Sequence, residues 1–98
     1  MEERCLERRF KREVEKLGGK ALKLTSPGRA GVPDRLVLFP GGRAVFVELK
    51  APGEVVRPLQ RKRADELKAL GFSVYCLDSV AAIEDFTAEV LGREVMPT

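Results

Sequence analysis

An α+β domain with a mixed four-stranded sheet, in the order αβββαβα, is the fold class this sequence predicts. Three observations predict it. Residues 3–17 repeat their apolar positions at helical spacing, residues 34–49 form two β-rich runs around a glycine turn, and a second helix separates that hairpin from another short strand. A chain of 98 residues has room for one such domain and no more, so residues 1–98 are expected to fold as a single unit.

Leu6, Phe10, Val14 and Leu17 share one face of the first helix, and Gly18-Gly19 ends it. Ala21 to Leu24 reads as a short strand. Thr25 to Val32 reads as a loop, marked by Ser26-Pro27-Gly28 and Gly31. Asp34 to Phe39 and Ala44 to Leu49 are strands joined through Pro40-Gly41-Gly42 as a hairpin. Pro58 suits the first turn of a helix that runs to about Leu70, with Leu67 and Leu70 expected to face inward and Gly71 to stop it. Ser73 to Leu77 is a fourth strand. Asp78 or Ser79 caps a last helix whose apolar members are Ile83, Phe86 and Leu91.

Composition narrows the chemistry. There is no histidine, which excludes Ser-His-Asp and Cys-His systems and His-ligated zinc. Cys5 and Cys76 are the only cysteines and form no Cys-x-x-Cys pair; both are expected to be free, buried thiols of a reducing compartment. No apolar run approaches the roughly 20 residues that span a bilayer, and the charged N-terminus lacks a signal-peptide core, so a cytoplasmic location is expected, with no membrane partner. All but one of the 18 Lys and Arg lie in residues 1–70 with 10 of the 15 acids, so that stretch carries +7 while residues 71–98 carry −4. A basic excess of this kind suits a surface that meets a polyanion, although many basic surfaces serve solubility alone.

One constellation carries chemistry. Along residues 44–50, Glu48 and Lys50 share a strand face, about 6.6 Å apart at ~3.3 Å per residue. Asp34 opens the preceding strand behind the stiff Pro33. Register decides whether Asp34 joins them. A two-residue loop at Gly41-Gly42 would pair Asp34 with Leu49 on the wrong face; a three-residue loop, Pro40-Gly41-Gly42, pairs it with Glu48. The three-residue loop is the expectation. Two carboxylates and the Leu49 backbone carbonyl then form an oxygen-rich site suited to Mg²⁺ or Mn²⁺, and Lys50 stands ready to orient a water or stabilise an anionic transition state. The bland alternative is a strand-end salt bridge.

Pro33-Asp34, then Glu48-Leu49-Lys50 after a gap of 13 residues, resembles the Pro-Asp…(Asp/Glu)-x-Lys nuclease superfamily. Gly18-Gly19, Lys23, Gly28-x-x-Gly31-Val32-Pro33-Asp34, Phe46 to Lys50, Gln60 and Leu70-Gly71 together resemble its virus-type replication-repair nuclease (VRR-NUC) domain, over residues 5 to 78. The resemblance implies a restriction-endonuclease-like αβββαβ core, with the C-terminal helix added, and a metal-dependent deoxyribonuclease. It implies Asp34, Glu48, Lys50, Glu7 and Gln60 as site residues, with Glu7 joining Asp34, Glu48 and the Leu49 carbonyl at the metal. It places Lys23, Arg29 and Gln60 against DNA. Stand-alone members of that family suggest a homodimer that cuts branched DNA such as four-way (Holliday) junctions during repair, in a bacterial or phage-infected cell. Flap cutting, nicking, or a catalytically inactive branched-DNA-binding module are the alternatives. A KH-type reading of Gly28-x-x-Gly31 is disfavoured by the strands on both sides of it.

Overall fold

Alternation along the two hairpin strands sets the architecture. The computed structural model describes residues 3–25 and 28–95, so Ser26 and Pro27 of the expected loop lie outside the described residues. Its elements are α1 (Glu3–Lys16), β1 (Lys20–Lys23), β2 (Arg35–Phe39), β3 (Arg43–Leu49), α2 (Pro58–Ala69), β4 (Ser73–Leu77) and α3 (Val80–Val95). The αβββαβα order is the one expected.

The sheet runs β1-β2-β3-β4, with both β2 contacts antiparallel and β3-β4 parallel. Val37 and Phe39 of β2, Val45, Val47 and Leu49 of β3 and Leu77 of β4 point to one face. Leu6, Phe10 and Val14 of α1 and Ile83, Phe86 and Val90 of α3 close over them. Phe86 is the hub, with its ring 5.7 Å from Phe10, 6.2 Å from Phe39 and 4.8 Å from Tyr75. Gly19 makes the α1–β1 junction possible: a Cβ there would stand 2.7 Å from the Leu38 carbonyl oxygen. α2 lies against β4 on the opposite face.

The hairpin loop has three residues. Phe39 pairs with Arg43, and Gly41 and Gly42 both adopt positive φ, at 86° and 78°. Gln60 Oε1 accepts the Arg57 N–H at 2.9 Å at the start of α2, and Ser79 Oγ accepts the Ala82 N–H at 3.1 Å at the start of α3.

Three expectations are corrected. Leu70 is 74% exposed and no α2 residue is fully buried, because α2 covers only the β4 margin of its face. On α3 the third core position is Val90 rather than Leu91, which is 48% exposed; one residue along a helix is a 100° rotation, and it turns Leu91 to solvent. Both cysteines are exposed. Cys5 precedes the buried Leu6 and faces away from it, and Cys76 alternates with the core-facing Tyr75 and Leu77.

Candidate active site

The β2–β3 ladder pairs Arg35 with Val47, and the same register one step further sets Asp34 opposite Glu48. Strand parity puts both on the face away from the core. Asp34 is tied down at several atoms. Its Oδ1 accepts the Leu49 N–H at 3.2 Å, and its carbonyl accepts the Leu24 N–H at 2.9 Å and an Arg35 guanidinium N–H at 3.1 Å. Pro33, just before it, is buried. The strand end is therefore rigid where the carboxylate begins.

Both acids are half-buried, and both titrate above the ordinary carboxylate range. Burial is the main cause for Asp34, opposed by the Leu49 hydrogen bond and the Arg35 charge. Glu48 rises to about 7, from burial first and the neighbouring Asp34 charge second, with Lys50 pulling the other way. Lys50 follows Leu49 at the end of β3, is 7% exposed, and is fixed through its N–H to the Leu77 carbonyl at 2.9 Å. Gln60 reaches in from α2, with Nε2 3.5 Å from Glu48 Oε2. Its other amide atom is the one that caps α2, so a single side chain couples the helix start to the acid. A cavity of about 260 Å³ opens beside Glu48, between α2 and β4.

Glu7 approaches from α1, where its charge adds to the upward shift of Asp34. Its carboxylate lies 3.1 Å from Arg35, whose guanidinium is also 3.9 Å from Asp34. Among the described residues no three acids or cysteines gather closely enough to share an ion. Arg35 is the residue that motif reading missed. It is 8% exposed, and its signal was parity: it occupies the core-facing alternation of Val37 and Phe39, where a guanidinium needs carboxylate partners. Cys76 was also missed. It lies directly across from Glu48 in the parallel ladder. Although the residue is exposed overall, partial burial of its thiol and the charges of Glu48 and Asp78 push the thiol pKa up.

The basic positions divide. Lys23 pairs with Arg35 across the β1–β2 ladder and lines a cleft with Glu7. Arg29 lies 3.1 Å from Glu66, which also binds Arg63, and Arg63 donates to the Ala30 carbonyl at 3.1 Å. Arg29 thus fastens its loop to α2.

A family model described as the VRR-NUC domain matches residues 2–81. The chain belongs to the VRR-NUC family. It is 52% identical over 77 residues to a protein of Acyrthosiphon pisum secondary endosymbiont phage 1 named "Putative nuclease p44", covering 79% of this chain and 83% of that one. Among solved structures it is similar to a VRR-NUC domain with a TM-score of 0.80 and 31% identity, covering 85% of this chain and 90% of the other. This VRR-NUC chain is therefore a nuclease-family domain with the expected α+β fold. No helix among its described residues is long and apolar enough to cross a membrane.

Proposed function

We propose that this VRR-NUC domain is a Mg²⁺- or Mn²⁺-dependent DNA endonuclease that hydrolyses phosphodiester bonds in branched DNA. The single observation that carries this is the hairpin register, which stands Asp34 opposite Glu48 with Lys50 two residues on. The donor set fits a hard divalent ion: two half-buried carboxylates that repel one another, with the Leu49 backbone carbonyl as a candidate third oxygen. Bound there, the ion would supply Lewis acidity toward a water and the scissile phosphate.

The chain's own residues do the rest. Asp34 and Glu48 would hold the ion, and the Leu49 N–H orients one Asp34 oxygen. Gln60 steadies Glu48 and would meet the substrate backbone. Lys50 places a positive charge against the anion that develops at phosphorus, and its burial makes that charge more effective than it would be in water. Glu7 would add a further ligand through its second carboxylate oxygen, with Oε1 held by Arg35. Lys23 meets substrate phosphate from β1.

A homodimer acting on four-way junctions is the form proposed. Leu22 and Leu38 are 43% and 39% exposed on the sheet face that α2 leaves open, where a second copy would cover them. A two-fold dimer sets two sites on a two-fold symmetric junction. The phage relative supports action in the cytoplasm of a bacterial or infected cell.

The test is cleavage of labelled duplex, flap, splayed-arm and four-way junction DNA with Mg²⁺ or Mn²⁺, beside light-scattering mass. The expected result is paired symmetric junction cuts by a dimer, abolished in Lys50→Ala and Asp34→Ala. Cleavage that survives in Asp34→Ala or in excess EDTA would overturn the mechanism. Preferred cutting of flaps or single nicks would overturn the junction assignment, and metal-independent junction binding with no cleavage would mark a binding module.

A further inference from the structure

A second concavity, of about 230 Å³, lies between α1 and β1. Ala21 and the buried Phe10 lie at its base; Arg8 and Lys11, one helical turn apart, line it from α1, and Lys23 and Arg35 from the sheet. The lining has one acid, Glu7, and that carboxylate is already bound to Arg35. On the same helix, Arg9 and Lys16 share Glu13. By contrast, no ion pair among the described residues engages Arg8, Lys11 or Lys23. Like charges gathered around one cleft repel one another, and an anion relieves that cost.

The cleft lies on the α1 side of the sheet and meets the candidate active site at the strand end. Arg35 lines it and stands 3.9 Å from Asp34, and Leu24, the residue after Lys23, donates its N–H to the Asp34 carbonyl. We propose that the α1–β1 cleft is a phosphodiester subsite, in which Arg8, Lys11 and Lys23 hold the substrate strand next to the phosphate being cut. The proposal rests on the nuclease function argued above and adds the direction in which the strand leaves the site. Arg35 acts as the floor of the cleft, since its guanidinium is committed to Glu7 and Asp34.

The experiment measures binding of fluorescein-labelled DNA in EDTA, where metal-dependent cleavage is off, across a salt series, and KM and kcat in Mn²⁺. The variants are Arg8→Gln/Lys11→Gln, Lys23→Gln and, as a charge-removing control on the same helix, Lys16→Gln. The double variant should bind at least about 10-fold more weakly, and the slope of log K against log salt should fall by about 1–2. Its KM should rise while kcat stays near wild type, and Lys16→Gln should change neither. Wild-type salt slope and KM in the double variant, or an equal loss in Lys16→Gln, would overturn the subsite. If no protein cleaves but the double variant alone loses binding, the nuclease function fails and the anion cleft stands. If wild type cleaves, Lys50→Ala does not, and the double variant binds normally, the subsite alone fails.

Discussion

Replacing Glu48 with Gln should abolish cleavage and yet stabilise the metal-free protein at alkaline pH. The folded state raises the Glu48 pKa from its ordinary 4.5 to about 7, through burial and the facing Asp34 charge. Between those two values the folded chain binds the proton more tightly than the unfolded chain does. The favourable contribution is therefore complete below pH 4.5 and is lost as pH rises through 7. At 1.36 kcal/mol per pH unit the ceiling on that loss is about 3.4 kcal/mol. Water reaches a half-buried carboxylate and screens it, so roughly 1–2 kcal/mol is expected. Gln has nearly the same shape and no charge. In EDTA at pH 8, Glu48→Gln should melt about 5–10 °C above wild type, by the usual conversion for a domain of this size, and the two should converge by pH 4.5. Circular-dichroism melts at half-unit pH steps make the comparison. Mn²⁺ at about 100 times its Kd should then add roughly 2.7 kcal/mol to wild type and little to the variant. A stability difference that stays constant from pH 4.5 to 8 would refute the account of Glu48 as a strained, charge-repelled acid.

Other outcomes follow from single contacts. Lys50→Ala should cut kcat by about 100-fold or more while leaving DNA binding in EDTA near wild type, read by single-turnover cleavage beside fluorescence anisotropy. Gln60→Ala removes both the α2 cap and the Glu48 contact, and should cost about 0.5–1 kcal/mol in urea melts together with a fall in kcat. Phe86→Ala should cost about 3–5 kcal/mol, against under ~0.5 kcal/mol for Leu91→Ala, which separates the buried face of α3 from its exposed one. Gly19→Ala should cost about 1–3 kcal/mol, because the new Cβ meets the Leu38 carbonyl and the Phe39 ring.

What the sequence determined by itself is local. Strand parity is a period of two, so the length of the Pro40-Gly41-Gly42 loop was enough to place Asp34 on the Glu48 face. Proline, glycine and Ser79 marked where elements start and stop, because each acts on its own backbone neighbourhood. Tertiary structure decided what depends on partners distant in the chain. Whether Val90 or Leu91 enters the core is set by how α3 is rotated against Phe10 and Phe39, and helical periodicity tolerates both. α2 could bury its leucines only against the part of its sheet face beyond the β4 margin, and Cys76 opens into the cavity left between α2 and β4. Arg35 was legible only as a charge at an apolar position; its meaning came from Glu7, 28 residues earlier, brought to it by the packing of α1. Glu48 shows the division most clearly. Its place opposite Asp34 followed from counting residues, whereas its raised pKa came from burial that only the assembled domain supplies.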